Sequence, residues 1–142
     1  MGGTAVSGAT MQLAGILLIA MVTIEYGGVS LLRFISGRVP GYLDNPVRRA
    51  LFTAGHAHAG VLVLLALVGL LYVDRADLSD GAKHLVRESL TVAPVLVSAG
   101  FFLSIVSPAA TRPGRLIVLV YLGAASLAIG LVTLGIGLLR AA

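Results

Sequence analysis

The chain has 142 residues, of which 58% are apolar and only 11% are charged, whereas an average soluble domain has roughly 45–50% apolar and about 25% charged residues. The net charge of +4 is small, and six of the ten basic residues lie in or beside two short connections. That distribution excludes a nucleic-acid-binding patch and is typical of a protein oriented in a bilayer. The absence of cysteine excludes disulfides, thiolate metal sites and cysteine nucleophiles.

Four apolar runs are long enough to cross a bilayer, which requires about 20 residues each. They cover residues 11–35, 50–73, 85–106 and 116–139. Because the connections are short, we expect an all-α fold, an antiparallel four-helix bundle in which residues 1–142 form a single transmembrane domain. The first ten residues carry no charged side chain, unlike the basic segment of a signal peptide, so the first run is expected to be retained.

The connections contain the residues that begin helices. Asn45 followed by Pro46 is expected to start the second helix, and Ser79 or Asp80 is expected to cap the third. The basic residues around the first and third connections outnumber those on the opposite side, which places these connections in the cytoplasm if the protein lies in the inner cell membrane. The six are Arg33, Arg38, Arg48, Arg49, Arg112 and Arg115, against Arg75, Lys83, Arg87 and Arg140.

Two features concern helix packing. Pro94 is expected to kink the third helix. Small residues recur along one face of the fourth helix, where they allow another helix to approach closely. That neighbour is either another helix of the same chain or another subunit. The small residues are Gly123, Ser126, Gly130, Thr133 and Gly137.

His56 and His58 lie inside the second predicted helix. Residues two apart on an α-helix point about 200° away from each other, so the two imidazoles cannot ligate the same metal ion. They form either two sites or one site and one structural histidine. Counted by helical rise, Glu25 of the first helix lies at a similar depth to His58. Ser98 and Tyr121 share this layer. A buried carboxylate and imidazole need a partner, water or a bound group.

Each of these polar residues has two interpretations. Glu25 either forms a hydrogen bond with His56 or accepts and donates a proton. His58 either packs between helices or ligates iron or another metal. Tyr26 is either a general acid or only hydrogen-bonded. Asp74, Asp77 and Asp80 offer too few oxygen ligands for a calcium site. Small residues flank the histidines and leave room for a bulky planar group: Ala54, Gly55, Ala59 and Gly60.

Four short segments occur in a fixed order along most of the chain. They are Gly-Ile-Leu-Leu-Ile at 15–19, Val-Pro-Gly-Tyr at 39–42, Ala-His-Ala-Gly at 57–60, and Phe-Phe at 101–102 followed by Ser-Pro at 107–108. In this order and spacing the chain resembles the styrene oxide isomerase family, small four-helix membrane proteins that bind haem b. It resembles more distantly the membrane hydroxylaminobenzene mutases.

The resemblance implies a trimer in which His58 is the axial ligand of haem b near a subunit boundary. It implies that the iron acts as a Lewis acid on an epoxide oxygen and that the product is an aldehyde, without net redox change. It also implies that His56 is not the ligand. The chain departs from the family at two polar positions that orient substrate, because Leu64 replaces an asparagine and Phe101 replaces a tyrosine. Neither side chain can donate a hydrogen bond to an epoxide.

Three hypotheses follow. In the first, the protein is a haem-b isomerase of a small lipophilic epoxide or hydroxylamine, with His58 on the iron beside Ala54, Gly55 and Gly60, and Glu25, Tyr26 or His56 handling protons. In the second, it binds haem without turnover, as a sensor, carrier or electron-transfer partner. In the third, it is a small transporter in which Glu25 and the histidines relay protons.

Overall fold

The computed structural model describes residues 6–37, 39 and 43–142. These residues form four α-helices and, before the last, the short 3-10 helix Arg115–Ile117; the α-helices are α1 (Gly8–Ile35), α2 (Pro46–Val73), α3 (Asp80–Leu103) and α4 (Val118–Ala141). No strand occurs in this part of the chain. All four helices are long and apolar enough to cross a membrane. The predicted all-α transmembrane fold is confirmed.

The first three helices begin earlier than their apolar runs, because polar side chains cap their first turns. Ser7 accepts a hydrogen bond from the Thr10 N–H, and Ser79 accepts one from Ala82. The Asn45 side chain caps α2, and Pro46 occupies the first helical position, as the sequence predicted. Hydropathy marks only the part of a helix that lies in lipid, so it misses such polar first turns.

Consecutive helices run antiparallel, as close approaches between them show. Gly123 near the start of α4 lies against Val97, whereas Gly137 near its end lies against Leu78, just before α3. α3 packs extensively against α2 and α4, while α1 packs mainly against α2. Within the described residues no Cα atom of α1 comes within 8 Å of a Cα atom of α4. The buried core draws on all four helices and consists of Leu17, Val63, Ala66, Leu70, Val73, Ala76, Val86, Leu90 and Leu134.

The small residues of α4 pack against α3 of the same chain. A Cβ atom placed on Gly123 would lie 2.7 Å from Val97 Cγ2. A Cβ atom placed on Gly130 would lie 3.0 Å from Ser89 Cβ. The Ser126 hydroxyl donates a 3.0 Å hydrogen bond to the Ser89 carbonyl. Of the two explanations for this series, packing within the chain is therefore the one that applies.

A buried polar network joins one end of the bundle. Arg87 of α3 forms an ion pair with Asp74, the residue that ends α2. The same guanidinium donates to the Thr10 hydroxyl at 2.9 Å and to the Ser7 hydroxyl at 3.1 Å. The Ser7 N–H donates to Asp74 Oδ2 at 2.9 Å. The network thereby ties the beginning of α1, otherwise the most loosely packed helix, to α2 and α3.

Candidate functional site

His58 lies on the outer surface of α2 and is exposed in the single chain. Its Nδ1 is 2.7 Å from the carbonyl oxygen of Ala54, one turn earlier in the helix. A carbonyl can only accept, so Nδ1 carries the hydrogen, and in the neutral ring Nε2 presents a lone pair. Nε2 has no hydrogen-bond partner among the residues that the structure describes. This is the arrangement of a histidine ready to ligate a metal through Nε2, because metal-bound histidines commonly donate their other N–H to a carbonyl or carboxylate.

The aromatic residues at the end of α3 form one side of the His58 site. The ring of Phe101 packs against that of His58, with centroids 5.0 Å apart and planes tilted by 39°. Phe101 and Phe102 also cover Gly55, where an added Cβ would lie 3.0 Å from Phe102 Cζ. Contrary to the expectation of open space there, Gly55 is buried and leaves no room for a bound group. Gly60 is open, since nothing lies within 4 Å of a Cβ at that position.

A surface cleft of about 560 Å³ runs along α2 from its beginning toward His58. Its deep end is formed by Ala54, whose carbonyl binds His58, and Ala57, which precedes His58 in sequence. Its outer end carries Asp44 and Arg49. Pro46, Ala50 and Thr53 complete the lining. Of the small residues expected to flank a planar group, Ala54 therefore lies on a cleft that reaches the backbone next to His58.

His56 lies on a different side of α2 and packs against α1, so the two histidines occupy separate sites as their spacing predicts. A Cβ on Gly28 would lie 2.9 Å from His56 Nε2, and one on Gly27 would lie 3.8 Å from Nδ1. Glu25 lines the same groove of about 450 Å³ as His56. No hydrogen bond joins Glu25 to His56 in the described part of the chain, so the structure brings these two ionisable side chains to one groove without pairing them.

Tyr121, which was expected in the polar layer, and Tyr26, the candidate general acid, both lie on the outside of the chain. Tyr26 is 73% exposed and Tyr121 is 69% exposed. Tyr26 does not line the groove that holds Glu25 and His56. Its position next to Glu25 in sequence therefore does not bring its hydroxyl to the same groove.

Ser98 lines a third cleft, of about 190 Å³, between α1, α2 and α3. Its other lining residues are apolar: Leu17, Ala20, Ile24, Ala59, Val63, Pro94 and Val95. The Ser98 hydroxyl is buried and has no hydrogen-bond partner among the described residues. Pro94 lies inside α3 without ending it. This cleft is thus an apolar space with one unsatisfied hydroxyl in its wall.

The donor set decides which metal centres fit. The described residues contain no group of three or more His, Cys, Asp and Glu side chains that could hold a bare metal ion. Asp74, the first of the three aspartates in the second connection, binds Arg87. Haem requires only one neutral imidazole from a protein, because the porphyrin supplies the other ligands. His58, with Nδ1 bound and Nε2 accessible, fits that requirement.

The Asp74–Arg87 network is the polar cluster that the sequence-based reasoning missed. The sequence analysis uses Arg87 only for its charge and makes no prediction for Ser7 or Thr10. A signal was available, because an arginine two turns inside an apolar helix needs a partner.

The Val-Pro-Gly-Tyr segment lies outside the described residues except for Val39. In comparisons with known proteins, no family model, curated protein or solved structure matches the chain.

Proposed function

We propose that the protein is a haem-b-dependent membrane isomerase, which rearranges a small lipophilic epoxide or hydroxylamine without net redox change. The observation that carries this proposal is the state of His58, whose Nδ1 donates to the Ala54 carbonyl and whose Nε2 is accessible at the surface of α2. The resemblance of residues 57–60 to the haem-binding segment of the styrene oxide isomerase family supports it independently of that geometry. The proposal includes a homotrimer in the inner cell membrane, with the first and third connections in the cytoplasm.

In this proposal His58 holds the haem, and the cleft beside Ala54 and Ala57 accommodates part of it. When bound, haem iron would supply a Lewis acid for a substrate oxygen or nitrogen. Phe101 packs against the His58 ring and restricts its rotation. The hydrogen bond from Nδ1 fixes the tautomer and the orientation of the ring.

Proton handling is assigned to the groove between α1 and α2. Glu25 and His56 both line it, and carboxylates and imidazoles are the side chains that most often transfer protons in catalysis. An unpaired carboxylate in a membrane-spanning helix is costly, which favours a functional role for Glu25. Tyr26 points outside this groove and is the weakest candidate of the three.

A second candidate is a haem-binding protein without turnover. Phe101 favours it, because the residue packed against His58 offers only an apolar ring where the family has a tyrosine hydroxyl. Leu64, at the other departing position, is 53% exposed and equally unable to donate a hydrogen bond. A six-coordinate iron that does not react with small ligands would favour this candidate over the isomerase.

The test is an absorption spectrum of the detergent-purified protein, expressed with haem available. We expect a Soret band in the wild type, its loss in His58→Ala and its retention in His84→Ala. His84 is the matched control because it is an exposed histidine near the beginning of α3, within ion-pair distance of Glu88. If the His56→Ala variant also keeps its haem, that result would agree with the packing of His56 against α1. Isomerase activity is then assayed with epoxide and hydroxylamine substrates. The activity of the wild type is compared with that of Glu25→Gln.

A wild type that stays colourless after haem reconstitution would overturn the haem proposal. It would favour instead a pathway in which Glu25 and His56 relay protons. A Soret band that persists in His58→Ala would support haem binding but would show that His58 is not the ligand. A haem protein that converts none of the substrates would support the non-catalytic candidate.

A further inference from the structure

The cleft along α2 has a cationic end. Arg49 lies at the outer end of the cleft, and the walls between it and the His58 end are made of small residues: Ala50, Thr53, Ala54 and Ala57. The helical rise places positions 49 and 58 about 13 Å apart along the axis of α2. The cleft thus leads from a guanidinium near the end of the membrane span toward the helical turn that carries His58, although the His58 side chain does not itself line it.

Arg49 differs from its neighbour Arg48 in how its charge is used. Arg48 is only 7% exposed and stacks over the ring of Phe52 at 5.2 Å. Arg49 is exposed, and its Nε donates a 3.1 Å hydrogen bond to the carbonyl of buried Leu43. That bond fixes the base of the guanidinium and leaves its terminal nitrogens for another acceptor. No described carboxylate forms an ion pair with Arg49, including Asp44 in the same cleft.

A ligand that fits this cleft is amphiphilic. Its apolar body would lie against the alanines, and an acidic group would lie at Arg49, whose forked donors match a carboxylate. Haem has this layout, since its propionate carboxylates extend from one edge of an apolar ring. We propose that Arg49 binds a haem propionate and thereby orients haem on His58. This inference rests on the proposed function but concerns a different residue and a different part of the ligand.

Asp44 gives the proposal a second consequence. Its carboxylate lines the same end of the cleft as Arg49, so it repels a bound carboxylate. Removing that charge by Asp44→Asn strengthens haem retention, whereas Arg49→Gln weakens it. Opposite effects of two neighbouring polar substitutions are not expected from general destabilisation of the bundle.

The experiment measures haem retention in the purified holoprotein. Transfer of haem to an excess of a soluble haem acceptor is followed at the Soret band. We expect Arg49→Gln to lose haem roughly 10-fold faster, as is typical for removal of a charge-assisted hydrogen bond. Arg49→Lys, which keeps the charge without the fork, is expected to be intermediate. Arg115→Gln is the matched control, because Arg115 is an exposed arginine at the same end of the bundle and does not line this cleft.

A second measurement isolates the carboxylate. The holoprotein is equilibrated with equal amounts of haem and haem dimethyl ester, and the retained fraction of each is determined by mass spectrometry. Wild type is expected to prefer haem, and Arg49→Gln is expected to lose that preference. Equal retention of acid and ester by a wild type with a clear Soret band would overturn the role of Arg49 and leave His58 ligation intact. A wild type with no Soret band would overturn both proposals.

Discussion

The imidazole of His56 occupies space that exists only because residue 28 is glycine. A Cβ placed on Gly28 would lie 2.9 Å from Nε2 and 3.0 Å from Cε1 of that ring. The contact joins the middle of α1 to α2 at the point where Glu25 lines the same groove. The close approach of the two helices and the position of the imidazole are therefore set by the same residue.

Gly28→Ala is expected to displace the His56 ring. Because the ring can rotate away, the loss of stability should not exceed about 1 kcal/mol. The measurement is the ¹⁵N chemical shift of the labelled imidazole, together with the thermal unfolding temperature. Gly15→Ala serves as the control on the same helix, since nothing lies within 4 Å of a Cβ there. An unchanged imidazole shift in Gly28→Ala would contradict the packing.

Gly123→Ala is expected to destabilise the bundle by about 1–3 kcal/mol, the usual cost of overpacking. The added methyl group would meet the Val97 backbone nitrogen at 2.9 Å, and a backbone atom cannot rotate away as a side chain can. Gly135→Ala is the matched substitution on α4, with nothing within 4 Å. Unfolding of both variants in mixed micelles, followed by circular dichroism, should separate them. Equal stabilities would show that α4 does not use Gly123 to approach α3.

Ser98→Ala is expected to stabilise the protein. The hydroxyl is buried and unsatisfied, and removing such a group recovers about 1 kcal/mol. The comparison is Ser104→Ala, whose hydroxyl donates a 3.0 Å hydrogen bond to the Phe101 carbonyl. That substitution should be neutral or destabilising in the same unfolding assay. A loss of stability in Ser98→Ala would indicate that the hydroxyl has a partner in the folded protein.

Asp74 gives the protein an acid-sensitive component of stability. Burial raises the pKa of its carboxyl, but hydrogen bonds from Ser7, Thr10 and Arg87 outweigh burial and hold the pKa below its ordinary value of 3.8. The charged form is thus favoured by folding. Its contribution is fully present above pH 3.8 and is lost as the pH falls through the lower pKa of the folded state.

Asp74→Asn tests that contribution. At pH 7 we expect a loss on the order of 3 kcal/mol, because Arg87 would keep its charge without its partner. The difference between wild type and variant should shrink as the pH is lowered through and below 3.8. Asp77→Asn is the control, since its exposed carboxylate forms no ion pair within the described residues. A difference that stays constant with pH would contradict a depressed pKa.

The fold was predictable because lipid imposes a length and composition on each span, and four runs met both. The separation of His56 and His58 was predictable from helical geometry alone. The occupation of the space beside Gly55 by aromatic rings was not predictable, because it depends on which residues of α3 face α2. The Asp74–Arg87 pair was missed because its members are 13 positions apart and meet only when α2 and α3 are packed. The exposure of Tyr26 could not be predicted either, because it depends on which face of α1 packs against α2.

The lack of close packing between the described residues of α1 and α4 has a consequence for biogenesis. α1 is synthesised before the other helices but has its main partners in α2 and α3, so it must wait in the bilayer as a single span until they are inserted. The hydrogen bonds that the Ser7 and Thr10 hydroxyls accept from Arg87 form only once α3 has been inserted. A ribosome-arrest series that stops synthesis at successive lengths should therefore show the N-terminal end of α1 becoming protease-protected only after α3 has emerged.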